Sequence, residues 1–550
     1  MSASSQPSTA GGASAQPATP LTGMPHPEAG QPEAFRQQAR EAIAQSGLRQ
    51  NMQSAMLFLR GKREAAISHE SGWEKLRELG EAIRQDALAR LPELLEQFEE
   101  RLKALGAQVH WAETPQEAND IVLAIAQARQ TQLVVKGKSM ASEEIELNAH
   151  LAAHGVTALE SDMGEFIVQL AGERPSHIVM PAVHKTKADI AQLFHDKLPG
   201  VDYTEDVDAL IQEGRRQLRQ RYREAGIGLS GVNFAAADTG SLWLVENEGN
   251  GRLSTTIPPV HVALMGIEKV LPRLEDLFPL MHLLTRSATG QAVTTYGNLI
   301  TGPRREGELD GPHELHVVLL DNGRSQAYAD PRWRATLQCI RCGACMNHCP
   351  VYARVGGHAY GTVYPGPIGQ ILSPHLLGLQ RTHELPTASS LCGACAEVCP
   401  VRIPIPSLLV KLRDASQEAP AGHRSSTAGA GAGAGAGSGR GGQRAAGPAS
   451  GSGAGAGAGS QDAADTAPRP IAGQGAGRRW HQRLIWAFWT GAFAHPRHYR
   501  LFLWLATRLR ALAPRHQMGW TTHRTPLRPA ARSLHERLQA RLNARSGDGG

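Results

Sequence analysis

The sequence has no cysteine outside one short block. All seven cysteines lie between positions 339 and 399 of the 550-residue chain. A secreted disulfide protein would spread an even number of cysteines through its fold. An odd number in one block therefore argues against a disulfide framework and predicts a metal site in a reducing compartment.

Long apolar runs are also missing. No stretch approaches the roughly 18 apolar residues of a membrane span. Residues 1–30 contain neither an apolar run nor any Lys or Arg, which argues against a signal peptide and a transit peptide. We therefore expect a cytoplasmic protein. The net charge of +6 is modest for this length and does not indicate nucleic-acid binding.

Composition divides the chain into segments. Residues 1–30 are small and polar, and residues 420–478 are largely Gly, Ala and Ser, so neither stretch can bury enough apolar surface to fold. We predict a disordered tail and a flexible linker there. The other predicted segments are N-terminal helices (31–69), an α/β domain (70–325), an α-helical ferredoxin-like domain (330–415) and a C-terminal helical segment (479–550).

The α/β prediction rests on alternating patterns. Apolar residues at helical spacing predict a helix over 73–105, and short strand-like runs separated by helix-like segments follow it. This alternation is typical of βαβ units around a parallel sheet, with a turn at Asp238-Thr239-Gly240. The predicted strands are 109–111, 132–135, 157–160, 177–180, 232–237, 241–246, 261–266 and 315–320, and the predicted helices are 115–129, 142–154, 163–171 and 187–195.

The first cysteine run has the spacing of bacterial ferredoxins. It reads Cys339-x2-Cys342-x2-Cys345-x3-Cys349-Pro, which predicts three thiolates on one face of a 4Fe–4S cluster. Small residues such as Gly343 let backbone N–H groups approach the cluster sulfur. In two-cluster ferredoxins the fourth cysteine of such a run reaches the other cluster.

The second run repeats the end of the first with one cysteine missing. It reads Cys392-Gly-Ala-Cys395-x3-Cys399-Pro, and Ser389 stands where a full copy would have another cysteine. We therefore predict a crosswise exchange of ligands between the runs. Cluster one takes Cys339, Cys342, Cys345 and Cys399, and cluster two takes Cys349, Cys392 and Cys395.

The fourth position of cluster two has several candidate ligands. Ser389, His348, Glu397 and water are possible, and a three-iron cluster is an alternative. Zinc prefers two C-x2-C pairs and four ligands, which seven cysteines with three-residue intervals do not match. We therefore expect two iron–sulfur clusters of the 4Fe–4S type, the second with a non-cysteine ligand or only three irons.

Several motifs resemble those of one family. CIRCGACMNHCPVY (339–352), SSLCGACAEVCPV (389–401), KGKSM (136–140) and TGSLWLVENEGN (239–250) are similar to motifs of the bacterial lactate-utilisation protein B family, iron–sulfur proteins with a LUD-type α/β domain. The resemblance covers residues 35–420 and 480–530 approximately. It implies a fold like that of sugar-phosphate isomerases and CoA transferases, and a second run with three cysteines.

The resemblance also implies a role. The chain would transfer electrons during oxidation of L-lactate to pyruvate, together with a cysteine-rich companion and a smaller companion related to the α/β domain. The glycines at 228–231 and 249–251 are too sparse for a nucleotide fingerprint, so we expect the oxidation on a partner or on an unrecognised cofactor. The alternatives are an α/β enzyme acting on an organic acid, and a redox sensor with regulatory clusters.

A second candidate site follows a predicted strand. Lys136-Gly-Lys138-Ser139 could bind an anion with Glu165 nearby and Glu246 next. Alternatively, Ser139 or Ser142 only caps the following helix. The other minor candidates, each with packing or a surface turn as the alternative, are His184, Lys185, His358 and Tyr360.

The C-terminal segment is rich in aromatic residues and Arg. Such a helix can lie on the inner face of an anionic membrane, dock onto a partner, or pack on its own domain. Only Glu536 and Asp548 oppose its arginines, and its large aromatic residues include Trp480, Trp486, Trp489, Phe493, Trp504 and Trp520.

Overall fold

A computed structural model describes residues 30–417, 480–509, 511, 530–533 and 536–538. The predicted tail, except for Gly30, and the predicted linker at 420–478 lie outside the described residues. The chain forms two compact units, one within 1–476 and one within 477–550.

The described part of the first unit contains ten strands and nineteen α-helices. The strands are β1 (Gln108–Ala112), β2 (Leu133–Lys136), β3 (Thr157–Glu160), β4 (Ile227–Gly231), β5 (Phe234–Ala236), β6 (Ser241–Glu246), β7 (Val260–Gly266), β8 (Val270–Leu271), β9 (Tyr296–Ile300) and β10 (Glu314–Leu320). The helices before β7 are α1 (Phe35–Ala44), α2 (Ser46–Ser68), α3 (Trp73–Ala89), α4 (Leu91–Ala104), α5 (Pro115–Ala128), α6 (Met140–Glu144), α7 (Leu147–Ala153), α8 (Met163–Ala171), α9 (Lys187–Lys197), α10 (Val207–Glu224) and α11 (Asn250–Thr256). Those after β7 are α12 (Leu277–Thr289), α13 (Arg324–Ala329), α14 (Ala344–Asn347), α15 (Tyr352–Val355), α16 (Gly366–Leu377), α17 (Leu379–Thr382), α18 (Ala394–Glu397) and α19 (Ile405–Ala415).

Six strands form the parallel sheet that the sequence predicted. Their order is β1-β10-β7-β4-β2-β3, and every neighbouring pair is parallel. The interior strand β10 buries both faces: Val317 and Leu319 belong to the core that includes the N-terminal helices, and Val318 belongs to the core on the side of α5. Such two-sided burial explains why parallel strands read as nearly continuous apolar runs.

A smaller mixed sheet covers one face of the first. Its order is β8-β5-β6-β9, and β5 and β6 form an antiparallel hairpin. The predicted turn Asp238-Thr239-Gly240 joins them, with Gly240 at a φ of 65°. A Cβ there would meet the Arg101 side chain at 2.9 Å, so glycine satisfies both the left-handed backbone and the close approach of α4.

The prediction of a strand at 177–180 was wrong. His177 turns this segment back on itself, because its Nδ1 accepts the backbone N–H groups of Val179 and Met180 at 3.0 and 3.1 Å. The backbone N–H of Ser176 also donates to the carbonyl of Pro181. The segment is therefore a folded loop whose buried, apolar residues imitate a strand in the sequence.

The prediction of one helix over 73–105 was also wrong, since the segment is divided into α3 and α4 at Arg90. Pro92 stands in the first turn of α4, where its missing N–H costs nothing. A continuous helix would place that proline in an interior turn. The predicted helix over 142–154 is similarly divided into α6 and α7 at Glu146, which has a φ of 54°.

The second unit is helical, as predicted, over its described residues. It contains α20 (Trp480–Phe493) and α21 (Pro496–Arg508), and Phe493 contacts both Tyr499 and Phe502 with ring centroids 5.3 and 5.5 Å apart. Trp520 lies outside the described residues. Within the described ranges, no helix combines the length and the apolar character that a bilayer crossing requires.

A buried ion network joins the α/β part to the segment that carries the cysteines. Arg324 binds Glu144 through two hydrogen bonds of 2.7 and 2.8 Å and Glu268 through one of 2.7 Å. Glu268 also pairs with Arg341, which lies between two cysteines, at 3.1 Å. Burial would raise the pKa of Glu268, but Arg324 and Arg341 lower it to about 2.

We expect Arg324→Met to reduce the free energy of unfolding by about 3–5 kcal/mol, because two carboxylates would stay buried without this partner. Arg90→Met is the matched control: it removes an ion pair with Asp86 whose side chains are 45% and 53% exposed, and should cost at most about 1 kcal/mol. Anaerobic urea denaturation measures both values. Equal losses in the two variants would show that the network contributes no more than a surface pair.

Candidate metal centre

The two cysteine runs share one backbone conformation. Arg341 and Gly343 have φ values of 62° and 74°, and their counterparts Leu391 and Gly393 have values of 56° and 88°. A short helix follows in each run, and α14 packs against α18. The sequence repeat is therefore also a structural repeat. Nothing lies within 4 Å of a Cβ at Gly393, so the left-handed backbone alone favours glycine there.

Four cysteines from the two runs line one cavity. They are Cys339, Cys342 and Cys345 of the first run and Cys399 of the second. The backbone N–H of Arg341 donates to the Sγ of Cys339 at 3.3 Å, and the N–H of Ile403 donates to the Sγ of Cys399 at 3.4 Å. Clustered sulfurs with N–H donors suit a 4Fe–4S cluster, whose charge such hydrogen bonds stabilise.

The other three cysteines form a second group. Cys349 interacts electrostatically with Cys392 and Cys395. Cys392 is exposed, whereas Cys349 and Cys395 are buried, so this group lies closer to the surface than the first. Two of the candidate fourth ligands already have partners: the Ser389 hydroxyl accepts the Leu391 N–H at 3.1 Å, and His348 Nδ1 lies 2.9 Å from the Ala344 carbonyl. The third, Glu397, is exposed.

Burial keeps most of these thiols protonated when no metal is present. It raises the pKa of Cys399 to about 11 and that of Cys395 to about 12, and it raises the pKa of Cys342 and Cys345 as well. Metal binding must expel these protons, since the thiolate is the ligand. Buried thiols in groups of four and three, without any disulfide, fit iron–sulfur clusters.

Arginines from the N-terminal helices hold both cysteine runs by their backbone carbonyls. Arg60 and Arg63 of α2 donate to the carbonyls of Asn347 and Val398 at 2.5 and 3.2 Å. In α3, Arg77 donates to the carbonyls of Glu397 and Cys399, and Arg84 donates to those of Leu337 and Gln338. Helix α2 therefore ties one run to the other, and α3 ties the second run to the residues just before the first.

The helical pattern over 73–105 did not reveal these arginines, because the prediction rested on the apolar residues alone. Arg77 and Arg84 are nevertheless buried. Burial lowers the pKa of Arg84 to about 10, and Glu268 and Cys339 oppose that shift. The available signal was position: residues 73, 77, 80, 84 and 87 lie on one face of α3, so two arginines interrupt its apolar stripe.

His177 docks the misassigned loop onto the first cysteine run. Its Nε2 lies 2.9 Å from the Asn347 Oδ1, and a Cβ at Gly343 would meet its ring at 3.1 Å. Tyr352 donates to the Ser176 carbonyl at 2.6 Å. Burial lowers the pKa of His177 to about 4, so a neutral imidazole fills this contact.

A cavity of about 540 Å³ adjoins the first cysteine run. It opens beyond the carboxyl ends of β2, β4 and β7, where Lys138, Gly231 and Lys269 contribute to its wall. β2 and β4 are neighbours in the sheet. After β2 the chain continues to β3 on one side, and the next strand of this sheet after β4 is β7 on the other side, so a topological switch point lies between β2 and β4. Open α/β sheets bind ligands at such points.

Sequence profiles of three known families match this chain. The LUD domain matches residues 95–320, a 4Fe-4S dicluster domain matches 335–403, and the C-terminal region of lactate utilisation protein B matches 459–543. The last match begins inside the predicted linker, in residues outside the described ranges.

Curated relatives cover most of the chain. Lactate utilization protein B of Bacillus pumilus is 46% identical over 386 residues, which are 70% of this chain and 81% of the relative. The chain belongs to the lactate utilization protein B family. The member from Anoxybacillus flavithermus is 45% identical over 70% of this chain and 81% of its own length, and that from Bacillus subtilis is 44% identical over 69% and 79%.

One solved structure also aligns with the chain. It is a DUF162 family protein from Deinococcus radiodurans, 15% identical, with a TM-score of 0.24 over 42% of this chain and 98% of that chain. A likeness this weak carries no argument. The α/β class and the dicluster domain predicted from the sequence are confirmed by the parallel sheet and the profile matches.

The structure brings only some of the predicted anion-site residues together: Lys138 and Glu246 both line the large cavity. Lys136 is buried against Glu143 and Glu160 at 2.6 and 2.7 Å, so its charge is already paired. Lys138 lines the large cavity. The Oε1 of Glu165 lies 3.7 Å from the Nζ of Lys138, but Glu165 lines a different, smaller pocket. Ser139 caps α6 by accepting the Ser142 N–H, as the alternative interpretation predicted.

The minor candidates lie in two places, and Glu173, His184 and His358 bring one ligand atom each within 4.8 Å of one another. His184 and Lys185 both pair with Glu173 in a turn. His358 lies 2.6 Å from the Arg174 carbonyl, and Tyr360 is buried against Phe35 with ring centroids 5.1 Å apart.

In iron-free protein we expect Cys392 to react with iodoacetamide at least about tenfold faster than Cys345, because the thiolate is the reactive form. The N–H of Ala394 and the Ser390 hydroxyl lower the pKa of exposed Cys392, whereas burial raises that of Cys345 well above its ordinary value. Peptide mass mapping over time measures the two rates. Uniform alkylation would contradict the described burial.

Proposed function

We propose that this chain is an electron-transfer subunit of lactate utilisation. The observation that carries the proposal is the interleaving of the two cysteine runs, which brings Cys399 of the second run to three cysteines of the first. A single metal site would not need this exchange. Two adjacent clusters can pass single electrons between a donor and an acceptor.

The proposed ligands follow the two groups of sulfurs. Cys339, Cys342, Cys345 and Cys399 would hold one 4Fe–4S cluster, and Cys349, Cys392 and Cys395 would hold a second one with a further, non-cysteine ligand or three irons. When bound, the clusters supply reversible one-electron chemistry. The chain itself supplies N–H donors to sulfur, buried arginines beside the loops and, at exposed Cys392, a contact face for a redox partner.

The pathway and the partners are proposed from the relatives. Their name, lactate utilization protein B, supports a role in lactate utilisation. We propose that this role is the oxidation of L-lactate to pyruvate by a cytoplasmic system with further components. We propose a cysteine-rich subunit and a small LUD-domain subunit as those components. In the C-terminal unit Trp489 and Trp504 are 49% and 43% exposed, which supports docking to a partner or to the membrane surface.

Anaerobically purified protein should contain about seven or eight irons per chain, and both Cys342→Ala and Cys395→Ala should lower that content by about half. EPR of the reduced protein should lose a different signal in each variant. Iron and sulfide analysis of the two variants tests the ligand groups directly.

Ser389→Ala is the matched control in the second run. It should keep the full iron content if its hydroxyl only accepts the Leu391 N–H, as the 3.1 Å contact indicates. Colourless protein, zinc in place of iron, or loss of the same EPR signal in both cysteine variants would overturn the proposal.

A further inference from the structure

The charged side chains in the wall of the large cavity form two groups. Asp162, Glu246 and Glu248 lie together with Lys138. Burial and the charges of Asp162 and Glu246 raise the pKa of Glu248, and Lys138 opposes the shift. The second group consists of the basic residues Lys269, Arg324 and Arg341 around Glu268. Burial lowers the pKa of Lys269 to about 7, so a bound anion would favour its charged form. The group adjoins Cys339, because the backbone N–H of Arg341 donates to its Sγ at 3.3 Å.

The carboxylates of the wall already have donors. Glu246 accepts two backbone N–H groups at 2.5 and 2.7 Å, and Glu248 accepts one at 3.0 Å. Asp162 caps α8 by accepting one at 3.1 Å. Glu268 is bound by two guanidinium groups. None of these acids therefore depends on an occupant of the cavity for a hydrogen bond.

Cationic donors in the wall lack acceptors. Among the residues that the structure describes, Lys269 forms no hydrogen bond and no ion pair, although it lies in the cavity wall. The Arg341 side chain is only 8% exposed, and its Nε and Nη1 have no acceptor among the same residues. Buried N–H donors without acceptors are costly even when the rest of the guanidinium is paired, as Arg341 is with Glu268. An anion in the cavity would supply the missing acceptors.

The rest of the wall suits an organic body. Phe58, Ile178, Leu244 and Leu284 contribute apolar surface, and a volume of about 540 Å³ is typical of small-molecule sites. The position beyond β2 and β4 is the switch point at which open α/β sheets place their ligands. Charge, volume and topology therefore indicate the same kind of occupant.

We propose that this cavity binds a small organic carboxylic acid whose carboxylate lies against Lys269 and Arg341, beside the first cluster. The choice of a hydroxy or oxo acid rests on the proposed role in lactate utilisation, whereas the site itself rests on the cavity. The acid would then bind within this chain, next to the electron-transfer path, and not only on a partner. Lys138 also lies in the cavity wall, but it is the basic residue beside the carboxylates of Asp162, Glu246 and Glu248.

Binding is measured by anaerobic titration calorimetry of the full, cluster-loaded chain with L-lactate and pyruvate. We expect a Kd below about 1 mM for at least one acid, in the usual range for metabolite sites. Lactamide, the neutral amide of lactate, should bind at least about tenfold more weakly, because it cannot pair with the ammonium group. No acid binding up to about 10 mM would overturn the proposal.

Lys269→Gln tests the cationic end. It should weaken acid binding at least about tenfold, while Lys269→Arg, which keeps the charge, should restore most of the affinity. Lys187→Gln is the matched control, because the Lys187 side chain is 51% exposed and forms a surface ion pair with Glu205. Leu284→Trp adds volume at the apolar part of the cavity wall, so it should fill the cavity and also abolish binding. Unchanged affinity in Lys269→Gln or in Leu284→Trp would overturn the assignment.

Iron content and EPR spectra of every variant separate this inference from the proposed function. Full iron content without acid binding overturns the cavity assignment and leaves the electron relay standing. Acid binding that responds to Lys269 in protein without the two cluster signals overturns the relay and supports the cavity. A Lys269→Gln variant that keeps its iron but loses acid binding supports both.

Discussion

Arginine hydrogen bonds to loop carbonyls are the interaction on which the metal centre depends. The two cysteine runs are distant in sequence, yet Cys399 of the second run lines one cavity with three cysteines of the first. Helix α2 reaches both runs through Arg60 and Arg63. Helix α3 reaches the second run through Arg77 and the residues just before the first run through Arg84. A guanidinium group stays charged even when buried, so the same contacts also place positive charge beside the thiolates.

Glu268 connects this support to the α/β sheet. Its backbone carbonyl accepts a hydrogen bond from Arg84 at 2.7 Å, and its carboxylate binds Arg324 and Arg341. Glu268 lies in the short 3-10 helix (Ile267–Lys269) that follows β7, at the carboxyl end of the sheet where the large cavity lies. The sheet, the cavity and the first cysteine run are therefore joined by a few buried charges. One hydrophobic core also includes residues from the N-terminal helices, the small sheet and the cysteine segment.

Sequence patterns predicted the features that depend on local periodicity and spacing. Strands 157–160 and 241–246 and helix 163–171 match the structure to the residue, and the parallel sheet and the repeated cysteine loop follow from the same patterns. The strand β4 (Ile227–Gly231) was not predicted, because its two glycines weaken the strand signal. The loop at 177–180 was misassigned because an imidazole takes the place of strand hydrogen bonds.

Long-range contacts account for most of what the sequence did not reveal. Arg77 and Arg84 resemble exposed helix residues until the cysteine loops that they bind are known. Likewise, Lys136 and Lys138 look equivalent in the sequence, but β2 buries the first against Glu143 and Glu160 and leaves the second at the cavity. Lys269 was not predicted as a site residue. Its relevance comes from its place in the cavity wall without a partner among the described residues, and no local sequence pattern encodes that.

The repeated left-handed residues have a consequence for the stability of the two cysteine loops. Arg341 and Leu391 carry side chains that make a positive φ unfavourable by about 1–2 kcal/mol each, and both occupy it directly before a cysteine. One loop is buried and the other is near the surface, so the surroundings do not explain a conformation that both share. The common factor is the cysteine that follows, whose thiolate we propose as a cluster ligand. A bound cluster would therefore offset the cost of the left-handed backbone in both loops.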